Sequence, residues 1–405
     1  MVVSHKIRLC RMSHKKENFL RKCYGASRYA YNQAKELSDA HYKEIGKSLS
    51  KQALRNKFVQ EVKQLPENEW MFSVPKSVLE EAVFDYHTAL VRMFKGRSRF
   101  PKFKSKHSSR NSFTLNNSQF SVQGKFLKIA KFNETFKLAE PLRFEGKVLR
   151  ATVSEKNGKH YISVTVEVDK SPLPQTGAMV GIDLNLHSID ASDGTSFPHL
   201  QYLKRSQHHL AQLQRSLSRK KKGSKNYNKM RLRVAKCNER ISNQRLDAHH
   251  KLSHALVRDN SFVFMEDLNV RGMLKNKRLA KAIQDASFYQ FTNMVEYKSR
   301  NNARIFKKVG KFFPSSKTCS NCGQARTKLD LSERIFECPS CGMLIGRDYN
   351  AAINIRNEGE RLLKLTNPTE GFSAVTPVER LSDSKSSLED VEQIAMKQEP
   401  IIIPD

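Results

Sequence analysis

The mixed apolar and polar residues 1–10, "MVVSHKIRLC", read as a short opening strand. The spacing then turns helical. "ENFLRKCYGASRYAYNQAKEL", "QALRNKFVQEVKQL" and "VLEEAVFDYHTALVRMF" each place apolar residues along one face, so the first third of the chain is predicted to be mainly helical. In "FKGRSRFPKFKSKHSSR" the period is lost, and Phe100 and Phe103 lie among cations between the breakers Gly96 and Pro101 and the following basic run. This segment reads equally as a solvated loop and as a strip that grips a nucleic-acid backbone while its rings stack on bases.

Period two governs Phe113 to Val168. In "KVLRATVSEKNGKHYISVTVEV" the dipeptide Asn157-Gly158 separates two alternating runs, a strong hairpin signal. "DKSPLPQTGA" has no period, and a domain boundary is predicted near residue 175. "AMVGIDLNLHSIDASDGTSF" reads as a buried strand containing Asp183, a turn, and a second strand with Asp193-Gly194 near its end. Leu203, Leu210, Leu213 and Leu217 form one helical stripe. After "KKKGSKN", Met230, Val234, Cys237, Ile241, Ala248 and Leu252 form another, which predicts a helical hairpin over 201–257. "SFVFMEDLNVRGM" is an apolar run that delivers Glu266 and Asp267 to a strand end, and "ARIFKKVG" reads as a further strand. "RDYNAAINIRNEGERLLKL" reads as a helix packing through Ala351, Ala352 and Ile355, and residues 368–405 read as a disordered acidic, Ser-rich tail. No internal repeat is evident.

Composition narrows the function. The 405 residues, 38% of them hydrophobic, suffice for two to three domains. Lys and Arg number 72 against 40 Asp and Glu, a formal net charge of +32, and such an excess calls for a polyanionic partner, nucleic acid first. An anionic membrane surface is the weaker reading, because no long apolar segment and no basic membrane-surface helix stands out. The hairpin's outer face, with Arg215, Arg219, Lys220, Lys221, Lys222, Lys225 and Lys229, is accordingly read as a nucleic-acid contact rather than a merely solvated face. "MVVSHKIRLCRMSHKK" lacks the apolar core of a signal peptide, so a reducing cytosol is expected, with cysteines as thiols or metal ligands. Cys10, Cys23 and Cys237 are isolated in sequence and read as buried small hydrophobes.

Cys319, Cys322, Cys338 and Cys341 form C-x2-C-x15-C-x2-C, and each pair is followed by a glycine, Gly323 or Gly342. Four thiolates on two tight turns satisfy tetrahedral zinc with no open position, which predicts one structural zinc ribbon. Three carboxylates call for a separate explanation. Asp183 lies among Val180, Gly181, Ile182 and Leu184, Glu266 follows Phe262 to Met265, and Asp348 opens an alanine-packed helix. Each alone fits a strand-end acid, a salt-bridge partner or a helix-start residue favoured by the dipole. Three acids on buried elements far apart in sequence are costly together unless they are paired or bound to metal.

At these residues the chain resembles TnpB, the transposon-encoded RNA-guided nucleases formerly called OrfB-type transposases, which are similar to compact type V CRISPR effectors. The resemblance runs from His5 to about Asn357 and rests on "GIDLN", "FMEDLN", the four-Cys ribbon and "RDYNAAINI". It implies a multidomain α+β protein: a β-rich wedge (1–10 and 111–175), a helical recognition domain (11–110), an RNase-H-like, RuvC-type α/β nuclease core (176–318 and 342–367) and an inserted zinc ribbon (319–341). It also implies that Asp183, Glu266 and Asp348 form an acidic triad for two catalytic Mg²⁺ ions roughly 3.5–4 Å apart, with Asp183 shared and the other two holding one each. The implied activity is Mg²⁺-dependent, RNA-guided cutting of double-stranded DNA, with a transposon-derived guide RNA choosing the sequence and a monomer as the expected form. Two rivals are a nuclease-dead RNA-guided regulator, disfavoured by the intact triad, and a true strand-joining transposase, which should act without a guide. Gly346 departs from the pattern, standing where many relatives carry an acid.

Overall fold

The computed structural model describes residues 1–106, 110–169, 171–199, 201–330 and 332–366, so the predicted tail at 368–405 lies outside the described residues. The chain divides into two units, Met1–Ser171 with Leu210–Glu239, and Pro172–His209 with Arg240–Asp405.

The first unit begins with β1 (Val2–Arg8), followed by helices α1 (His14–Ile45), α2 (Lys51–Phe58) and α3 (Lys76–Phe94). Ser13 caps α1 by accepting from the Lys16 amide, and Gly46 ends it in the left-handed region at φ 71°. The helix predicted across "QALRNKFVQEVKQL" stops at Phe58 and continues as one π-helical turn, Val59–Lys63. Six strands follow: β2 (Ser112–Asn116), β3 (Phe120–Gln123), β4 (Phe126–Ile129), β5 (Phe136–Lys137), β6 (Lys147–Lys156) and β7 (Lys159–Glu167). They build an antiparallel sheet in the order β1-β7-β6-β2 and a smaller one, β3-β4-β5. Asn157 (φ 53°) and Gly158 (φ 73°) both adopt left-handed geometry in the β6–β7 turn, as a two-residue hairpin with the strands' own twist requires. The basic segment after α3 is pinned at Lys104, whose backbone N–H and C=O both pair with the Asn32 side chain. Phe100 and Phe103 nevertheless stay exposed, with the Lys35 ammonium 4.5 and 5.0 Å from their ring centroids.

The second unit holds β8 (Met179–Leu184), β9 (Ser188–Ala191), β10 (Ser196–Pro198), β11 (Phe262–Glu266) and β12 (Ile305–Val309), ordered β10-β9-β8-β11-β12. Strands β8, β11 and β12 run parallel, and β9 pairs antiparallel with both β8 and β10. Asp193-Gly194 thus closes a turn into a third strand beyond the two predicted. Helices α4 (Tyr202–Ser218) and α5 (Lys225–Asp259) occupy the span of the predicted hairpin, but α4 buries none of its residues, and 210–239 are grouped in the first unit. Between Asn269 and Ala303 the sequence pattern yields no element, yet α6 (Val270–Met273), α7 (Ala280–Ala286) and α8 (Phe288–Asn301) occupy it. Helices α6 and α7 are short, and Ser287 at φ 51° breaks α7 from α8, but α8 runs 14 residues and buries Phe288, Phe291, Met294 and Val295 at helical spacing, a signal the sequence reading passed over. The chain then forms the hairpin β13 (Ile335–Glu337) and β14 (Leu344–Gly346) and ends in α9 (Arg347–Thr366). Cys23 is buried as predicted, whereas Cys10 and Cys237 are only half-buried. A small apolar residue at the margin of a core need not be sealed in it. No described helix is long and apolar enough to cross a membrane.

Helix α9 lies on the sheet through Ala351, Ala352 and Ile355, all fully buried. The approach requires Gly181: a Cβ there would sit 2.2 Å from the Ala352 carbonyl oxygen and 2.4 Å from the Arg356 nitrogen. Both are helix backbone and cannot swing aside. Gly181→Ala is therefore expected to cost about 3 kcal/mol, the upper end of usual overpacking costs, and to push α9 off β8. Thermal melts of the two proteins check this, and an unchanged Tm would show that the close approach is not needed.

Candidate functional site

Parallel neighbours present their ends at the same edge of a sheet. Met265 pairs with Ile182 across β11 and β8, so the next residues along, Glu266 and Asp183, emerge side by side at the carboxyl edge. Asp348 lies in the first turn of α9, the helix packed against β8. Asp183 is only 7% exposed, and burial pushes its carboxyl well above the ordinary carboxylate range. The negative charges of Glu266 and Asp348, and then of Asp190, push it further, against a smaller opposing hydrogen bond from Asn185. Burial also raises Glu266, while the Ser315 hydroxyl, donating to its Oε1, acts the other way. Arg347 Nε lies 3.5 Å from Asp348 Oδ1, but among the described residues neither Asp183 nor Glu266 has an ion-pair partner.

Two contributors escaped the sequence reading. Asp190 lies directly across the β8–β9 ladder from Asp183. It is buried and held by Asn185 Nδ2 (2.6 Å) and Ser188 Oγ (2.7 Å) on one oxygen and Ser196 Oγ (2.5 Å) on the other. Its signal was present, since an acid between Ile189 and Ala191 interrupts an apolar strand. Ser315 had no local signal, because the loop after β12 had to fold back for its hydroxyl to reach Glu266.

Acids gathered so that Glu266 and Asp348 raise a buried Asp183, with neither Asp183 nor Glu266 ion-paired among the described residues, have the chemistry of a divalent-cation site. In metal-free protein this arrangement opposes folding, with a definite sign. Below about pH 4 the carboxyls are protonated folded or unfolded. As pH rises through the raised folded-state range of Asp183 and Glu266, the unfolded chain ionises first and stability is lost. In chelator at pH 8, Asp183→Asn is expected to raise Tm by a few degrees, at roughly 2–4 °C per kcal/mol for domains of this size. A lower Tm would mean that Asp183 is stabilising where it lies.

The four cysteines also meet. Their Sγ atoms lie within 4.8 Å of one another, with Cys319 to Cys341 at 3.7 Å and Cys322 to Cys338 at 3.5 Å. Tetrahedral zinc with Zn–S near 2.3 Å sets sulfurs about 3.8 Å apart, so the residues fit that ion. Gly323 (φ 75°) and Gly342 (φ 68°) supply the turns. The Met343 backbone N–H and then the Asn321 amide pull the Cys341 thiol down to about 6, and the Cys341 backbone N–H lowers Cys338. Donors aimed at these two sulfurs favour the thiolate that a metal binds, whereas at Cys322, against the Gln324 backbone N–H, burial and the neighbouring thiols push the thiol up to about 12. Fully buried Phe336 fills the ribbon with Leu329, Met343 and Ile345 around it. Two asparagines of α9 tie the ribbon's base to the helix that carries Asp348. Asn350 accepts from the Ser320 amide (2.9 Å) and donates to the Thr318 carbonyl (2.7 Å), and Asn354 donates to the carbonyls of Ser315 (2.8 Å) and Thr318 (2.6 Å).

The chain is similar to known proteins over most of its length. A family described as "Probable transposase" matches residues 161–277, and one described as "Cas12f1-like, TNB domain" matches 288–355. The chain is 36% identical over 345 residues to a "Putative RNA-guided DNA endonuclease" of Streptomyces pristinaespiralis, covering 84% of this chain and 85% of that protein. It is 27% identical over 362 residues to "Putative RNA-guided DNA endonuclease InsQ" of Escherichia coli (strain K12), covering 85% and 89%. A solved structure described as "Cryo-EM structure of the Cas12f1-sgRNA-target DNA complex" matches with TM-score 0.56 at 14% identity over 85% of this chain and 83% of that one, a likeness of fold.

Proposed function

This chain belongs to the TnpB family, and from that membership we propose that it is a transposon-encoded, RNA-guided DNA endonuclease with an RNase-H-like nuclease centre at Asp183, Glu266 and Asp348. The observation that carries the reading is the gathering of these carboxylates at one buried sheet edge, where burial and mutual repulsion hold Asp183 far above its ordinary range. Asp183 would be shared between two Mg²⁺ ions, and Glu266 and Asp348 would hold one each. When bound, the metals supply an activated water and a stabilised leaving oxygen for phosphodiester hydrolysis. The chain's own groups do the placing. Ser315 aims Glu266, the Asp190 network holds the strand opposite Asp183, and Asn350 and Asn354 fix the turn from which Asp348 projects.

The four cysteines are read as one structural zinc site, since no ligand position is left open. The charge of +32 suits a protein holding a structured guide RNA together with both strands of a duplex, acting as a monomer in a prokaryotic cytosol. The test is to sequence RNA that copurifies with the chain expressed from its own locus. The loaded complex is then offered a matched duplex with randomised flanks in Mg²⁺. Cutting next to one flanking motif is expected. Specific binding with no cutting across the library would favour a guided regulator, and strand joining without RNA would favour a transposase.

A further inference from the structure

Resting on that reading, we infer that Phe312 is a stacking platform that positions a base of the cut strand beside the carboxylates. Phe312 is 91% exposed, the most exposed large hydrophobic side chain among the described residues. Phe313 beside it is tucked toward the cluster of Phe262, Phe264, Val309 and Ile355. The tandem thus separates into one ring that anchors and one that is presented. Single exposed apolar residues are ordinary, and what marks this ring is its extreme exposure together with where it stands.

Its setting defines that place. The Phe313 amide donates to the Gly310 carbonyl at 3.0 Å, so Lys311 and Phe312 form the corner of a tight turn, and Pro314 stiffens the backbone just beyond it. Both ends of this loop are fixed at Glu266. Val309 is its register partner on β12, and Ser315 donates to its carboxylate. Phe312 stands three residues from each anchor, a span of at most about 10 Å. That is roughly three stacked nucleotides at 3.4 Å each. The loop leaves a strand parallel to β8 and β11, and therefore departs from the edge at which Asp183 and Glu266 emerge. The Lys311 ammonium is 5.9 Å from the ring centroid, and Lys308 lies on the adjoining strand. A rigid aromatic ring with a lysine beside it is how single strands are held without sequence preference, since every base has a π-face and every nucleotide a phosphate. A phenylalanine, with no hydrogen-bonding group, reads no sequence, which suits a nuclease whose sequence choice lies in its guide.

The experiment uses the full chain loaded with its copurified RNA, once wild-type cleavage has marked the cut positions. 2-Aminopurine is placed in turn at each position around the cut in a matched target and bound to the uncut Asp183→Ala complex. One or two positions are expected to be quenched. Adding Phe312→Ala should relieve that quenching, and adding Phe312→Trp should keep it. With the triad intact, Phe312→Ala should lower kcat/KM roughly tenfold or more, Phe312→Trp should restore it, and Phe312→Leu should not. Tm should be unchanged throughout, because the ring supports no packing. Wild-type cutting rates and unchanged quenching in Phe312→Ala would overturn the inference and leave the endonuclease reading standing. They are also the result expected if the ring serves a protein partner. If the wild-type complex never cuts, the endonuclease reading itself falls and the inference falls with it.

Discussion

Asp183→Ala is expected to lower the single-turnover rate of guided DNA cleavage by three orders of magnitude or more, at least about 4 kcal/mol of lost transition-state stabilisation. Guide and target binding should stay within a few-fold of wild type. The two effects separate because the substitution removes a buried carboxylate at the sheet edge and leaves the basic surfaces untouched. Loss through unfolding is not the expected route, since in metal-free protein the change removes a repulsion rather than an attraction. Glu266→Ala and Asp348→Ala should act alike, and double substitutions should add little, because groups that act as one unit are lost as one unit. Binding by gel shift and cleavage under identical Mg²⁺ conditions are the measurements. Residual cleavage within tenfold of wild type in Asp183→Ala would remove it from the catalytic role.

Cys338→Ser is the second large effect, and it acts at a distance. Wild-type protein should contain close to one zinc per chain by elemental analysis, and the variant close to none. Little else holds the ribbon, whose apolar filling is Phe336 and three half-buried neighbours. Structural zinc in small modules contributes on the order of 10 kcal/mol, far more than that cluster can replace. The consequence should reach the carboxylates. Thr318 and Ser315 receive hydrogen bonds from Asn350 and Asn354, and Ser315 also aims Glu266, so a collapsed ribbon loosens two of the three acids. Cleavage is expected to fall at least 100-fold, with the chain otherwise folded. Folded, zinc-free protein that cuts normally would show that the cysteines are not a structural metal site.

Much of this was legible in the chain because local rules and the fold agree there. Asn157-Gly158 between alternating runs can hardly be anything but a hairpin. The apolar approaches to Asp183 and Glu266 mark strands buried on both faces, in which an acid is out of place. What the sequence concealed is non-local. That Asp190 faces Asp183 depends on the β8–β9 register, and Ser315 reaches Glu266 only through a loop's return. The need for Gly181 appears only when α9 is laid across β8. The asparagines of "RDYNAAINI" read as ordinary helix residues until the ribbon's carbonyls arrive to meet them. Helices α6 and α7 were hidden by their brevity, whereas the apolar spacing of α8 was there to be read.

The pairing of β1 with β7, Val2 to Glu167 through Arg8 to Tyr161, bears on how the protein is made. Strand β1 has no ladder partner until about 160 residues later in synthesis, on the order of ten to thirty seconds at ordinary rates. During that interval a strand-forming segment is free to pair with a neighbouring nascent chain, as any unpaired edge can. Its composition guards against this: in "VVSHKIR" the apolar residues are interrupted by His5, Lys6 and Arg8. Even in the finished sheet β1 remains an edge strand. Its basic residues thus serve twice, keeping nascent chains apart during synthesis and keeping finished molecules from joining edge to edge.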